Sequence, residues 1–249
     1  MDRLIYTAMS GATQSMARQA AVANNLANVS STGYRAEEHR LRAVQVMASS
    51  PGALPTRAFA IDASTHNNFA LGPMLETGRT LDVALQGQGW IAVTMADGSE
   101  AYTRDGSLQT DINGVLQTRG GLTVQGDGGA ISIPPDQKIS IGTDGTVSVV
   151  PETGAQNTVN AIGRIKLVNP PEETLVRSED GFFRVASGDA ATVDPAVKLA
   201  GGMLEGSNVN PAEQMVTMIS LGRQFEMQMK MISMAEANDR SATNVISAR

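Results

Sequence analysis

The feature that most constrains the fold is a series of Asp-Gly and Asn-Gly dipeptides in the middle of the chain. Both favour the tight turns of β-hairpins, because Gly, Asn and Asp tolerate the positive φ that such turns require. They punctuate short β-prone runs, and no run of helical length interrupts them. The dipeptides are Asp97-Gly98, Asp105-Gly106, Asn113-Gly114, Asp127-Gly128, Asp144-Gly145 and Asp180-Gly181. The pattern predicts a central antiparallel β domain over residues 77–204, built as a sandwich or a partly open barrel.

The first 42 residues carry a helical pattern instead. Two neighbouring stripes recur every three or four residues, which is the spacing of one helix face. The first stripe consists of Ile5, Ala8, Ala12, Ser15, Gln19, Val22 and Leu26. The second consists of Met9, Ala12, Met16, Ala20, Ala23 and Ala27. Alanine favours a helix but buries little apolar area, so this N-terminal helical segment needs closely packed partner helices.

Polar residues mark the end of this helix. Asn24, Asn25 and Asn28 disfavour a helix interior. Gly33 follows in a Ser-Ser-Thr-Gly turn, where glycine can take a positive φ. Residues 43–76 hold three prolines and few periodic apolar positions, which predicts an extended linker rather than a further domain.

Residues 205–249 predict a second helix with a sharp start. Asn210 can cap it, and Pro211 suits the first helical position. Seven of the 13 methionines fall between Met203 and Met234, so the helix is apolar on more than one face and needs more than one partner. A heptad seam runs through Met215, Met218, Gly222, Phe225, Met229 and Ile232. We expect this helix to pack with the N-terminal segment, giving an α+β fold with a discontinuous, coiled-coil-like helical domain.

Composition excludes several kinds of site. Without cysteine the chain has no thiolate metal site and no cysteine nucleophile. Neither His39 nor His66 has a second ligand at metal spacing, and no carboxylate pair stands at a catalytic spacing. We therefore predict no enzyme activity, no metal and no cofactor. The net charge of −6 without a basic stripe argues against nucleic acid, and the lack of a long uncharged apolar window argues against membrane insertion.

Three sets of strings recur in chain order in one known family. They are residues 23–35 (ANNLANVSSTGYR), residues 81–90 (LDVALQGQGW) with 102–106 (YTRDG), and residues 204–210 (LEGSNVN) with 223–230 (RQFEMQMK). Together they resemble the bacterial flagellar rod, hook and hook-associated axial proteins over nearly the whole chain. The opening residues 2–12 and the Met-rich residues 223–232 most resemble proximal rod members. A distal rod protein, or another hook or rod subunit, is the alternative.

The resemblance implies a tube of many subunits, in which the terminal helices pack near the axis and the β domain lies outside. It implies a structural subunit of the basal-body rod that transmits torque, conducts exported subunits and is required for motility. Its partners would be copies of itself, neighbouring proximal and distal rod proteins, and the flagellar type III export apparatus. Export without a cleaved signal peptide would bring it to the periplasm-spanning rod.

The resemblance also indicates where assembly contacts lie. In the N-terminal segment they are Ile5, Ala12, Ala23, Asn24, Asn25, Leu26, Asn28 and Gly33. In the C-terminal segment they are Asn208, Asn210, Met215, Met218, Gly222, Phe225, Met229 and Ile232. Two readings lie outside the family: a secreted coiled-coil effector or pore former, and a periplasmic hydrolase with a β domain.

Overall fold

The computed structural model describes residues 2–45, 58–135, 137–151 and 159–247. The chain divides into two compact units. The helical unit comprises Met1–Val29, Ala36–Asn68 and Val209–Arg249, and the β unit comprises Ser30–Arg35 and Phe69–Asn208. Both long helices belong to the helical unit, whereas the β unit is built from antiparallel strands. This confirms the predicted α+β class.

Two helices from opposite ends of the chain pack together in the helical unit. They are α1 (Asp2–Ala27) and α2 (Pro211–Ser247), and α2 begins where the Asn-Pro start signal predicts. The first of the two predicted stripes of α1 is buried or half-buried. Ala8, Ala12, Ser15 and Val22 are buried, and Ile5, Gln19 and Leu26 are half-buried. Apart from Ala12, which both stripes share, the second stripe is exposed: Met9, Met16, Ala20, Ala23 and Ala27.

Two paired strands lie partly in the predicted N-terminal helical segment and partly in the predicted linker. Strand β1 (Glu37–Gln45) pairs antiparallel with β2 (Ala58–Asn67), and both contact α1. Residues 46–57 of the predicted linker lie outside the described residues. Most side chains of β1 are exposed and many are charged, so the strand lacks the alternation of apolar and polar residues that marks a half-buried strand. That is why the sequence did not predict it.

The β unit contains sixteen further described strands, one short 3₁₀ turn (Glu172–Thr174), and antiparallel pairing throughout. The strands are β3 (Met74–Glu76), β4 (Val83–Gln86), β5 (Trp90–Thr94), β6 (Glu100–Thr103), β7 (Leu108–Thr110), β8 (Leu116–Thr118), β9 (Thr123–Gly126), β10 (Gly129–Ala130), β11 (Gln137–Ile141), β12 (Thr146–Pro151), β13 (Asn160–Arg164), β14 (Leu167–Val168), β15 (Leu175–Arg177), β16 (Phe183–Val185), β17 (Lys198–Gly201) and β18 (Met203–Glu205). The main sheet has the order β15-β16-β6-β5-β9-β8-β7, with β14 and β10 added beside β5 and β9. Smaller sheets are β11-β12-β13, β17-β4 and β18-β3.

Five of the six turn dipeptides lie in hairpin turns, between β5 and β6, β7 and β8, β9 and β10, β11 and β12, and β15 and β16. The sixth, Asp105-Gly106, joins β6 to β7, which are not neighbours in the sheet. Gly106 instead lies against β4, where its carbonyl accepts a hydrogen bond from the Val83 N–H at 3.0 Å. A Cβ at Gly106 would overlap the Val83 carbonyl, so this glycine allows two backbone segments to approach.

Strand β5 lies at the centre of the β unit, and both of its faces are buried. Ile91 on one face joins a large aliphatic cluster with Leu108 and Leu116. Trp90 and Ala92 on the other face join a smaller cluster that also holds Tyr102, Val168, Leu175 and Phe183. Successive side chains of a strand point to opposite faces, so a strand buried on both sides is apolar along its length.

Candidate functional site: helix faces and a buried ionic junction

Helices α1 and α2 approach closely where α1 carries small residues. The side chain of Gln228 lies beside Gly11, where a Cβ would come within 2.7 Å of its Nε2 atom. One turn further along α1, the hydroxyl of Ser15 donates to Gln228 Oε1 at 3.4 Å. The small side chains of the buried α1 stripe allow this close approach. Close packing is needed because each of these side chains buries little apolar area.

The face of α2 toward α1 differs in part from the predicted seam. Leu221 and Ala235, at 3% and 2% exposure, are its most buried residues. Other covered positions are Gln214, Met218, Phe225, Gln228 and Ile232. The predicted seam shares Met218, Phe225 and Ile232 with this face, while Met215 and Met229 remain 52% and 46% exposed. Leu221 offers more area to bury than Gly222, whose missing side chain would face open space.

A second apolar face of α2 is therefore uncovered within the described chain. Besides Met215 and Met229 it includes exposed Val216, Ile219, Met227, Met231 and Met234. On α1, Tyr6, Met9 and Met16 are also exposed. Exposed apolar patches of this extent mark interaction surfaces in soluble proteins.

Asn25 ties the end of α1 to strand β1. Its Nδ2 donates to the Glu37 carbonyl at 2.8 Å, and its Oδ1 accepts from the Glu37 N–H at 2.9 Å. The neighbouring Asn24 and Ala23 are exposed and Leu26 is half-buried. Asn28 donates to the Asn24 carbonyl at 2.9 Å and closes the helix end. The polar end of α1 thus holds one buried side-chain link and an exposed cap.

Replacing Asn25 with alanine should weaken the helical unit by about 1–3 kcal/mol, because both backbone polar groups of Glu37 lose their partner. Hydrogen exchange of peptides covering residues 20–27 and 37–45 should accelerate by roughly one to two orders of magnitude. Asn24→Ala is the matched control, since the Asn24 side chain is exposed and, among the described residues, hydrogen-bonds only with the Asn28 amide. Equal acceleration in both variants would contradict the role assigned to Asn25.

Asn210 caps α2. Its Oδ1 accepts hydrogen bonds from the N–H groups of Ala212 and Glu213 at 3.1 and 3.5 Å. These N–H groups have no partner within the helix, so the side chain satisfies donors that the first turn leaves free.

The β unit brings three of the recognised strings together at one place. The Gly33 N–H donates to the Glu205 carbonyl at 2.8 Å, and the Asn208 N–H donates to the Tyr34 carbonyl at 3.3 Å. Thr32 donates to Asp105 Oδ1 at 2.6 Å. We call this place the ionic junction and define it by Arg35, Arg104 and Glu205, one from each string.

Two arginines share one carboxylate in the ionic junction. Arg35 Nη2 donates to Glu205 Oε1 at 2.7 Å, and Arg104 Nε donates to Glu205 Oε2 at 2.6 Å. The Gly72 N–H donates the third hydrogen bond to this carboxylate, at Oε1 and 2.9 Å. All three charged side chains are at most 3% exposed. Because the carboxylate is fully bonded and buried, it fixes the relative positions of three distant chain segments.

Charge in the ionic junction is unbalanced. Arg104 satisfies its remaining donors on the carbonyls of Gly89 and Gly87, each at 2.8 Å. Arg35, in contrast, has no hydrogen-bond partner in the structure for Nε or Nη1, although both atoms are buried. Burial lowers the pKa of Arg104, Glu205 opposes that shift and the nearby Arg35 adds to it. One carboxylate thus faces two buried guanidinium groups.

Aromatic side chains surround the ionic junction. Trp90 packs on Phe183 with ring centroids 4.6 Å apart, and Phe69 meets Trp90 edge-on at 6.0 Å. The Arg177 guanidinium lies 4.5 Å from the centroid of the Tyr34 ring and donates to the Arg35 carbonyl. Ring–ring and cation–ring contacts stabilise the fold beyond what burial of the ring area contributes.

Tyr102, a member of the smaller cluster, should make the stability of the β unit depend on pH. Burial raises its pKa to about 12, and its hydroxyl oxygen accepts from the Ala191 N–H at 2.7 Å. Tyrosine in an unfolded chain ionises near pH 10. The stability that neutral Tyr102 contributes should be complete below about pH 10 and lost as pH rises toward 12. Urea unfolding followed by Trp90 fluorescence should show this loss, and Tyr102→Phe should reduce its pH dependence.

Within the described residues, no group of three or more His, Asp or Glu side chains is placed to hold a metal ion. Nor does any helix among those residues have the length and apolar character needed to cross a membrane.

Sequence reasoning missed the ionic junction. It named Gly33 and Asn208, which border it, but not its three charged members. Glu205 lies 170 residues from Arg35 and 101 from Arg104, so spacing alone could not pair them. The available signal was that each charged residue belongs to a separate string of the same family resemblance.

Comparison with known proteins covers both units. A model described as flagella basal body rod protein matches residues 5–35, one for the flagellar hook protein FlgE/F/G D1 domain matches residues 84–149, and one for the flagellar basal body rod FlgEFG protein C-terminal region matches residues 200–245. The chain is 43% identical to flagellar basal-body rod protein FlgF of Escherichia coli and 41% identical to FlgF of Salmonella typhimurium, over 99% of each chain. It is 34% identical to FlgG of Buchnera aphidicola over 86% of this chain and 88% of that protein.

Proposed function

Since this chain belongs to the flagellar basal-body rod protein family, we propose that it forms the proximal part of the rod as a FlgF-type subunit. It is a structural subunit of the flagellar basal body. In that position it would help to transmit torque, enclose the path of exported subunits and be required for motility. The similarity to FlgF proteins over 99% of both chains supports this position more strongly than the similarity to FlgG, which covers less of each chain.

The uncovered helix faces support assembly through the terminal helices. Two helix faces remain exposed within the described helical unit. One is the face of α2 that carries Met215 and Met229, and the other is the face of α1 that carries Met9 and Met16. Methionine side chains adapt to unequal neighbours because they are long, unbranched and polarizable. We assign these faces to contacts with copies of this chain and with neighbouring proximal and distal rod proteins.

Placing charge on that face should block assembly without unfolding the subunit. Glu substituted for both Met215 and Met229 adds two charges at exposed positions, where an intersubunit contact would have to desolvate them. Gln86→Glu with Thr110→Glu is the matched control, since it adds the same two charges at exposed polar positions of the β unit instead of on the apolar face of α2. Motility in soft agar and the amount of subunit in purified basal bodies should fall only in the methionine variant. Normal assembly of that variant would contradict the assignment.

Leucine substitutions test whether these methionines supply apolar area or adaptable packing. Replacing Met215, Met218 and Met229 with leucine keeps apolar area but removes the flexible thioether. Unchanged assembly and motility would show that these positions supply area rather than adaptable packing.

A label can distinguish the proximal from the distal position. Ile112 lies at the tip of the β7–β8 turn and is 97% exposed, so a small tag inserted there should leave the β unit intact. Density for the tag in purified basal bodies should lie in the proximal part of the rod. Density in the distal part would overturn the proximal assignment while leaving the structural role.

Partners outside the rod follow from the same proposal. We propose that the subunit is exported by the flagellar type III apparatus and has no catalytic role, no cofactor and no interaction with nucleic acid or the membrane interior. A strain lacking the protein should lose motility without losing growth. A growth defect would favour a role beyond the flagellum.

A further inference from the structure

An open groove runs along the exposed side of α2. It has a volume of about 500 Å³ and is lined by Val216, Ile219, Ser220, Arg223, Gln224 and Met227. Its apolar members Val216, Ile219 and Met227 are 67%, 59% and 61% exposed. Arg223 lies among them, and the exposed Lys230 follows two turns later on the same side of the helix. We call this surface the cationic groove, because it combines apolar side chains with positive charge.

Arg223 decides which kind of partner can cover the cationic groove. A protein surface that covers the groove removes water from the guanidinium group, and a buried charge without an opposite charge is strongly unfavourable. The ion pairs of the described residues include neither Arg223 nor Glu226, the carboxylate on the next turn of α2. The groove therefore fits a partner that brings both apolar contacts and a carboxylate.

The same helical unit carries a surface of the opposite charge. Where α1, β1 and the first turn of α2 meet, a cavity of about 300 Å³ is lined by Glu37, Glu38 and Glu213, together with Arg18 and His39. None of the three carboxylates takes part in an ion pair of the described residues. The cavity lies at the lower end of the size range of binding sites and admits one long side chain. We call this surface the acidic corner.

Two unlike, complementary surfaces on one chain favour a second copy as the partner. Opposite charges across an interface fix its register and exclude wrong partners, and arginine is well suited to bind carboxylates. A contact between unlike surfaces leaves every copy with one surface of each kind still open. Such head-to-tail contacts therefore continue from copy to copy and build rings or helical arrays, as a subunit of a tube requires.

We propose, on the basis of the function proposed above, that the acidic corner of one copy of this chain docks on the cationic groove of the next copy. Glu213 pairs with Arg223 of the neighbouring copy, while Val216, Ile219 and Met227 supply the apolar part of the contact. Glu37 and Glu38 add negative charge around the same guanidinium group. The contact gives the exposed face of α2 a defined partner.

A charge swap tests this contact in strains whose only copy of the chain carries the variant. Arg223→Glu and Glu213→Arg should each reduce the amount of subunit in purified basal bodies by roughly tenfold, because like charges then meet in the contact. The double variant Arg223→Glu with Glu213→Arg should recover most of the loss, since it restores opposite charges between copies. Damage to folding cannot produce such a recovery, because both substitutions are then present in one chain.

Arg119→Glu is the control for charge reversal, since Arg119 is exposed in the β unit, and it should leave assembly unchanged. Normal assembly of both single variants, or a double variant no better than either, would overturn the proposed contact. Unaltered chain in the purified rod would then still support the proposed function. Absence of the unaltered chain from the rod would overturn the proposed function itself.

Cross-linking identifies the partner directly, because the chain has no cysteine of its own. Glu213→Cys with Arg223→Cys removes both charges and so leaves neither unpaired. A bis-maleimide that spans about 8 Å is too short to join these two positions within one helix, where they lie about 15 Å apart. Treated basal bodies should yield a ladder of linked copies from the double variant and none from either single-cysteine variant.

The products distinguish the possible partners. A ladder from one single-cysteine variant would show that like surfaces meet, which would overturn the head-to-tail contact. A product that joins this chain to a different rod protein, or the absence of any product from the double variant, would overturn a second copy as the partner.

Discussion

Replacing Glu205 with glutamine is expected to destabilise the β unit by about 3–5 kcal/mol, which is the usual cost of removing one partner from a buried ionic group. The substitution keeps the shape of the side chain but leaves Arg35 and Arg104 without their shared negative charge. Repulsion between the two guanidinium groups then adds to the cost of burying each of them. Urea unfolding followed by Trp90 fluorescence measures the change directly, because Trp90 packs within the same unit.

Glu76→Gln is the matched control. Glu76 is exposed and lies on β3, opposite Met203 of β18, so it carries the same charge on the strand that pairs with the Glu205 strand. Its substitution should change stability by less than about 0.5 kcal/mol. Adding Arg35→Met to Glu205→Gln should recover part of the lost stability, since the double variant removes one of the unpaired cations. Similar losses for Glu205→Gln and Glu76→Gln would show that the ionic junction contributes little.

Local signals in the sequence predicted most of the architecture. The Asp-Gly and Asn-Gly dipeptides mark hairpins because the turn itself requires their backbone freedom, and five of the six do so here. The start of α2 was equally readable, since Asn210 and Pro211 act on adjacent atoms. Asp105-Gly106 is the exception because its conformation serves a contact with Val83, more than twenty residues away in the chain.

Features that depend on a choice between similar partners could not be predicted. The heptad positions Met218, Phe225 and Ile232 border two faces of α2, and the sequence does not say which face α1 covers. In the structure α1 covers the face that carries Leu221 and Ala235, so Met215 and Met229 remain exposed. The ionic junction was missed for a related reason. Charged residues are usually exposed, and only the folded β unit shows that Arg35, Arg104 and Glu205 are buried together.

Gly33→Ala is expected to destabilise the β unit by at least about 3 kcal/mol, because it combines backbone strain with a steric overlap. Gly33 has φ of +68°, a conformation that costs a residue with a side chain about 1–2 kcal/mol. A Cβ at this position would also come within 2.5 Å of the Asp105 backbone nitrogen and overlap the Arg104 backbone. Backbone atoms cannot rotate away, so the segment would have to move and would disturb the hydrogen bond from the Gly33 N–H to the Glu205 carbonyl.

Gly78→Ala separates the two contributions. Gly78 has φ of +69° in the same unit, but a Cβ there would meet no atom within 4 Å. It should therefore lose only the backbone term of about 1–2 kcal/mol, and the difference between the two variants measures the overlap at Gly33. In cells, Gly33→Ala should abolish motility while Gly78→Ala should retain it, because only the first disturbs the ionic junction. Equal losses of stability would mean that the close approach of Gly33 to Arg104 and Asp105 is not required, and that its positive φ alone explains the glycine.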